Sequence, residues 1–374
     1  MRVGLNLTFL TEDSGGSATY ARGLVEGLPR VAPGMELTVW VGRDAPAPDW
    51  LAGAEVIRLP VVGVGGVAHY AWDLGAMVVQ ARRRRLDVLH GLAYLAPPVH
   101  PGLPVVVTIL DTIWKRYPAT MNWKGRAVFA SMSPVLGRSA DRVIAISEAG
   151  KADLVADLGL PASNIDVTPL AVTPPPPPPT GERIEELRMR LKLGAHPLLL
   201  CVAQKRSHKN LESLIDAMAH VSAPARLVLP GSPNAYEQAL RKRAAARGVQ
   251  DRVTFAGWVS DEDLEALYSA ATAFVTASLM EGFGLPVLEA MVRGLPVACS
   301  NVSALPEVAG HAALTFDPLD PAAIGAALQK LLIDAELRRR LVAAGHARAA
   351  AFSWDATALA TLDVYEHVLA ARRR

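Results

Sequence analysis

With 374 residues the chain is long enough to fold as two domains with substantial cores. Its 51% hydrophobic and 20% charged content excludes global disorder, and 38 Lys and Arg against 36 Asp and Glu leave a formal charge of +2, without the basic excess of a general nucleic-acid binder. Two cysteines, Cys201 and Cys299, exclude a disulfide scaffold and fit a reducing compartment, so the cytoplasm is the expected location.

The opening Met1-Arg-Val-Gly-Leu-Asn-Leu7 lacks a signal-like apolar region and leads straight into a strand-like run, so no export is expected. Aliphatic and β-branched runs predict strands at Val3–Leu7, Leu37–Val41, Val56–Leu59, Val88–His90, Val105–Leu110, Val143–Ile146 and Ile165–Thr168, with helices in the gaps. The longest stretch without a formal charge, Val88–Leu110, has the length to cross a bilayer, but Pro97, Pro98, Pro101 and Pro104 make it strand, loop, strand. Six consecutive prolines, Pro174–Pro179, form an extended, semi-rigid linker. Beyond it strands are predicted at Leu198–Val202, Leu227–Leu229, Val253–Phe255, Ala273–Val275, Val297–Ala298 and Leu314–Phe316. The expected fold is α/β: two similar doubly wound halves, residues 1–173 and 181–354, joined by the 174–180 linker and facing each other across a cleft. Periodicity alone lets the last helix, from about Trp354 to Ala371, pack on either half. The basic runs Arg82–Arg85 and Arg372–Arg374 read as solvated helix ends, with contact to a membrane surface as the alternative.

Three segments carry chemistry. In Thr11-Glu-Asp-Ser-Gly-Gly-Ser-Ala-Thr-Tyr20, Gly15 and Gly16 let backbone N–H groups approach an anion at a helix start, although a plain tight turn explains the pair equally well. In Cys201-Val-Ala-Gln-Lys-Arg-Ser-His-Lys-Asn210, Arg206, Lys209 and a helix N-terminus near Asn210 converge as a metal-free diphosphate site would require, the alternative being a solvated charged loop. The third, Ala277-Ser-Leu-Met-Glu-Gly-Phe-Gly-Leu-Pro-Val-Leu-Glu-Ala-Met291, sets Glu281 in a loop and Glu289 in a helix beginning near Leu285. Were both helical, they would stand about 12 Å apart along the axis, beyond the about 5 to 9.5 Å of a glycosidase carboxylate pair. Each carboxylate is better read as accepting a pair of hydroxyls, one on a sugar and one on a ribose, with Gly282, Phe283 and Gly284 offering amides to a pyrophosphate between them, the alternative being two helix-surface glutamates. Asp261-Glu-Asp263 follows Ser260 and reads as a capped helix start rather than a metal site; no His or Cys grouping has ligand spacing, so no metal and no cofactor are expected.

At Glu281-Gly-Phe-Gly-Leu-Pro-Val-Leu-Glu289 the chain resembles the retaining GT-B glycosyltransferases of glycosyltransferase family 4, whose hallmark is a Glu-x7-Glu motif. Gly15-Gly16 matches that family's N-terminal glycine loop and Lys209-Asn210 its Lys-Asn pair. Val143-Ile-Ala-Ile-Ser-Glu148, Ser303-Ala-Leu-Pro-Glu-Val-Ala-Gly310 and Phe352-Ser-Trp354 match further segments, so the resemblance covers nearly the whole chain. It implies two Rossmann-like domains of GT-B fold, an N-terminal one for the acceptor and a C-terminal one for a nucleotide-sugar donor, with the terminal helix 355–374 returning to the first. It also implies that Arg206 and Lys209 neutralise the leaving diphosphate, that Glu281 faces the donor sugar, and that Glu289 holds the ribose. The amides of Gly282, Phe283, Gly284 and Leu285 would hold the phosphates, and the backbone at Gly257, Trp258 and Val259 the base.

One departure stands out: the family commonly carries a His after the strand that ends near Ile109, and Leu110 occupies its place, leaving Asp111 to contact donor or acceptor. His90 is a candidate for partial compensation by lining the cleft, with a structural role as the alternative. Trp114, Trp123 and Phe129 lie where acceptor-binding helices would be, with core packing as the alternative. The wording Gly4-Leu-Asn-Leu-Thr-Phe-Leu10 is similar to bacterial mannosyl- and rhamnosyltransferases of surface-polysaccharide assembly, which leans towards GDP-mannose. A saccharide, lipid-linked or small-molecule acceptor fits this reading, at the inner face of the membrane if the basic runs contact it. The alternatives are a natural-product glycosyltransferase using a UDP- or dTDP-sugar, a nucleotide-sugar epimerase, and a non-catalytic donor-binding subunit of the same fold.

Overall fold

The computed structural model describes residues 1–11, 15–46, 48–59, 76–94, 96–100, 102–120 and 123–373, so Glu12 to Ser14 of the glycine loop, Pro101 and Arg374 lie outside the described residues. The chain forms two compact units, Met1–Thr173 with Phe352–Arg374, and Pro174–Ala351.

The first unit holds seven strands: β1 (Arg2–Asn6), β2 (Glu36–Val41), β3 (Glu55–Arg58), β4 (Val88–Gly91), β5 (Val105–Thr108), β6 (Arg142–Ala145) and β7 (Ile165–Val167). They form one sheet in the order β3-β2-β1-β4-β5-β6-β7, with every pairing parallel. The second unit holds β8 (Leu198–Leu200), β9 (Arg226–Pro230), β10 (Val253–Gly257), β11 (Ala273–Thr276), β12 (Val297–Ser300) and β13 (Ala313–Phe316), in the parallel order β10-β9-β8-β11-β12-β13. The central strands are fully buried runs such as Val105-Val-Val107 and Leu198-Leu-Leu200, as strands covered by helices on both faces require. Each expected strand is present to within about two residues, the usual scatter of element ends. In each sheet the order reverses at one place, β1/β4 in the first and β8/β11 in the second, and in open parallel sheets the C-terminal strand ends at such a switch point are where ligands bind.

The terminal helix, Trp354–Arg373, belongs to the first unit and packs on the helix Gly15–Val31. Its seat is a notch: a Cβ at Gly23 would lie 2.1 Å from the Trp354 ring. Trp354 Nε1 donates to Thr173 Oγ1 at 3.3 Å, Thr357 Oγ1 donates to the Pro169 carbonyl at 2.7 Å, and Arg30 pairs with Asp355 at 2.7 Å. Deeper in, His90 is wholly buried between Tyr365 Oη (2.6 Å from Nδ1) and Thr108 Oγ1 (2.8 Å from Nε2), and Thr108 also meets Tyr20 Oη at 2.9 Å. Burial pushes the His90 imidazole down to about 3. His90 is therefore a neutral link between β4, β5 and the terminal helix; the expectation that it lines a cleft is corrected, because no part of it reaches a surface.

Candidate active site

The switch point of the second sheet brings together the loops after β8 and β11. The first makes a single tight turn at Ser207–Lys209 before the helix Leu211–Ala217, and Asn210 between them adopts a left-handed φ of 51°. Asn210 tolerates that conformation and uses its buried amide to brace the loop, donating to the Ala277 carbonyl at 3.0 Å and the Pro318 carbonyl at 2.8 Å. The turn aims Lys209 at the second loop, where its Nζ donates to Glu281 Oε1 at 2.6 Å. Both side chains are largely buried, at 18% and 13% exposure. Burial pushes the Glu281 carboxyl up, but the Lys209 ammonium and hydrogen bonds from Lys209 and Ser278 outweigh it and hold Glu281 below the usual carboxylate range. Burial, with Lys209 close by, pushes the neighbouring His208 down to about 4, so at neutral pH the cation of this loop facing Glu281 is Lys209.

Glu281 is also held by its backbone. Its N–H donates to Ser303 Oγ at 3.1 Å, and that hydroxyl donates to the Glu281 carbonyl at 2.9 Å. Gly284 then caps the helix Leu285–Val292 at φ 106°, where a Cβ would stand 2.8 Å from Leu305 Cδ2. The positive φ favours glycine at that turn, and Pro286 suits the first turn of the helix, which accounts for the Gly284-Leu-Pro286 spelling.

Glu289 lies on the same helix and accepts from Tyr268 Oη at 3.2 Å. Burial raises its carboxyl above the usual range; Arg293 and Tyr268 offset this only in part. Arg293 is committed elsewhere: it forms a two-pronged pair with Glu265, donates to the Glu289 carbonyl at 2.9 Å and stacks over the Tyr268 ring at 4.6 Å.

The other expected site residues fall in both units. Arg206 is exposed in the loop after β8, and Gly257, at φ 71°, ends β10 at an irregularity in the ladder, followed by the 72% exposed Trp258 and half-buried Val259. In the first unit, Gly15 (φ 50°) and Gly16 are exposed at the start of the helix Gly15–Val31. Asp111 lies two residues before the short helix Ile113–Arg116, its Oδ1 accepting from Ile113 N at 2.9 Å, while Tyr94 Oη accepts from the Asp111 N–H at 2.9 Å and donates to its carbonyl at 2.8 Å. Leu110 is half-buried beside it. Trp114 is buried against Phe129, ring centroids 6.1 Å apart, so these two serve packing, whereas Trp123 is 70% exposed. Ser260 caps the helix Asp261–Ala270 by accepting from Asp263 N at 3.2 Å, and Asp263 pairs with Arg183 at 2.6 Å and with Arg190. Among the described residues no helix is long and apolar enough to cross a membrane.

Residues 15–171 match the family described as glycosyl transferase 4-like domain, and residues 183–348 the family described as glycosyl transferases group 1. The chain is also similar to the MMP alpha-(1->4)-mannosyltransferase of Mycolicibacterium hassiacum, 30% identical over 79% of this chain and 74% of that one. The chain belongs to the group 1, 4-like glycosyltransferases. It is 33% identical to the O-antigen chain mannosyltransferase B of Escherichia coli over 61% of each chain. It is 29% identical to the GDP-mannose-dependent alpha-(1-6)-phosphatidylinositol monomannoside mannosyltransferase of Mycobacterium tuberculosis, over 65% of this chain and 66% of that one. The chain thus spans just under two thirds of the length of these last two relatives. The sucrose-phosphate synthase of Thermosynechococcus elongatus has the same fold, with a TM-score of 0.77 over 99% of this chain and 100% of that one at 23% identity. The fold is GT-B.

Several residues that shape this candidate site escape a reading of the sequence. Ser303 clamps Glu281 from 22 positions away, and Tyr268 reaches Glu289 from 21. Arg293 carried a local signal, since it follows Glu289 by one helical turn. Ser278 and Lys205 carried none beyond their membership of the two loops.

Proposed function

We propose that the glycosyltransferase moves a hexosyl residue, mannose from GDP-mannose in the first instance, from a nucleotide-sugar donor to an acceptor hydroxyl in bacterial polysaccharide or glycoconjugate assembly. The observation that carries this reading is the largely buried Lys209–Glu281 pair at the switch point, continuous with the Gly284 turn and Glu289. Lys209 and Arg206 supply positive charge where the nucleoside diphosphate departs, and stabilising that developing charge is the main demand of the reaction. Glu281, kept ionised and fixed by Ser303, accepts hydroxyls of the donor sugar through the oxygen that Lys209 leaves free, and Glu289 accepts the ribose hydroxyls. The amides at Gly282 to Leu285 and the positive end of the helix they start receive the phosphates.

Transfer proceeds with retention, as in family 4, by a front-side path in which the donor phosphate helps to take the acceptor proton. No metal is required, because Lys209, Arg206 and the helix start already supply the countercharge; Asp261 and Asp263 lie in the first turn of the helix that Ser260 caps, and Asp263 is paired with Arg183 and Arg190. By the family resemblance, Asp111, Gly15 and Gly16 of the first unit are the candidates for contact with acceptor or donor. The relatives that are mannosyltransferases, one of them GDP-mannose-dependent by its name, support the choice of donor. The test is transfer from GDP-mannose in excess EDTA to a panel of saccharide and lipid-linked acceptors, with the product anomer read by NMR. An α-mannoside supports the reading; an inverted product or a strict metal requirement contradicts it, and turnover of a UDP- or dTDP-sugar alone reassigns the donor.

A further inference from the structure

Lys205 lies in the same loop as Arg206 and Lys209, yet points the other way: its side chain has 0% exposure. Its ammonium meets Glu237 Oε2 at 3.2 Å and donates to the carbonyl of Gly231 in the loop after β9. The main chain of Lys205 is pinned as well, because Asn234 Nδ2 donates to its carbonyl at 2.7 Å while Asn234 Oδ1 caps the helix Ala235–Ala246. Gly231 has no latitude, since its φ is 133° and a Cβ would stand 2.6 Å from the Ala203 carbonyl. Its N–H in turn donates to the Gly257 carbonyl at 2.7 Å. One hydrogen-bonded line therefore runs across the ends of three neighbouring strands, β8, β9 and β10, from the Arg206–Lys209 loop to the Gly257–Val259 turn. Glu237 reinforces it from the side by pairing at 2.7 Å with Arg241, which stacks over Phe255 of β10 at 4.4 Å.

A fully buried ammonium is an inefficient way to gain stability, because apolar residues of equal volume commonly do as well as a buried ion pair. What it supplies is directional geometry. We propose that Lys205 is a positioning residue that fixes the Gly257–Val259 turn relative to the Arg206–Lys209 loop and thereby sets which nucleoside diphosphate the site accepts. This rests on the donor-site reading above, in which the first segment meets the base and the second the diphosphate.

The test is calorimetric titration of the whole protein and its Lys205→Met variant with UDP, GDP, ADP, dTDP and inorganic pyrophosphate. The variant should bind the preferred nucleoside diphosphate about tenfold more weakly, its affinities for the four bases should converge, and its affinity for pyrophosphate should stay unchanged. The double variant Lys205→Met/Glu237→Leu removes both buried charges and should recover the melting temperature but not the base preference. It carries the test alone if Lys205→Met does not fold. Wild-type preference in a folded Lys205→Met protein, or recovery of that preference together with the melting temperature in the double variant, overturns the inference alone. A wild-type protein that binds none of the four nucleotides overturns the donor-site reading and the inference with it.

Discussion

Lys209 and Glu281 are 72 positions apart in the chain and 2.6 Å apart in space, joined at the one point where the second sheet reverses its strand order. The pair does two things at once: it keeps a carboxylate ionised in a largely buried place, and it holds a cation there in a fixed direction. Lys209→Ala leaves Glu281 without its counter-ion, so the Glu281 carboxyl should rise and the protein should lose about 3 kcal/mol of stability. Nucleoside diphosphate binding should weaken about 10- to 100-fold, the worth of a charge-assisted hydrogen bond. Urea unfolding and calorimetry check the two effects separately, and unaltered nucleotide affinity would remove Lys209 from the site.

Glu289 titrates in the opposite sense. Burial raises its carboxyl above the usual range, so the ionised form, which the proposed ribose contact requires, is lost earlier than for an ordinary glutamate as pH falls. Donor affinity should therefore drop on acidification through that raised value and be complete above it. Tyr268→Phe removes a hydrogen bond that favours the carboxylate and should shift the drop to higher pH; Glu289→Ala should abolish donor binding and the pH dependence together. Affinity measured from pH 4.5 to 8 decides this.

His90 ties the pH dependence of stability to the first unit. Its folded value of about 3 lies below the usual 6.5, so between the two the unfolded chain binds a proton that the folded chain refuses. Its contribution is fully present above about pH 6.5 and is lost as pH falls towards 3, with a slope of about 1.4 kcal/mol per pH unit inside that window. A His90→Gln variant should be less stable at pH 7.5 but lack that component of the slope, as urea midpoints at a series of pH values would reveal. An unchanged slope would contradict the buried, neutral imidazole.

The strands were legible in the sequence because runs such as Val105-Val-Val-Thr108, buried on both faces, are short and β-branched, which decides for strand over buried helix. The Gly284 turn and the helix start near Leu285 were legible for a different reason: an acidic residue followed by Gly-Phe-Gly-Leu-Pro has few uses at an ordinary helix start. What lay beyond reach was partnership at long range. Nothing near His90 announces Tyr365, 275 positions on, and nothing near Lys205 announces Gly231. The seat of the terminal helix was undecided by periodicity because its determinant, the small residues Gly23 and Gly27, lies on another helix.

That seat gives a further test. At Gly23 a Cβ would overlap the Trp354 ring at 2.1 Å, and both partners belong to well-packed helices. Gly23→Ala should destabilise the protein by about 1–3 kcal/mol through overpacking, and limited proteolysis should cut near Phe352 sooner than in wild type. An equally stable, equally resistant variant would show that the terminal helix is not held at this notch.

The most direct measurement is the thermal shift of the purified protein with UDP, GDP, ADP and dTDP and their common sugar conjugates in excess EDTA, in parallel with the Glu289→Ala and Lys209→Ala variants. A metal-free nucleotide-sugar site is expected to show one preferred base, with stabilisation of about 2.7 kcal/mol at about 100 times the dissociation constant. That response should vanish in Glu289→Ala and shrink in Lys209→Ala. No response to any nucleotide, or an equal response in both variants, would contradict the assignment of the donor site to these residues.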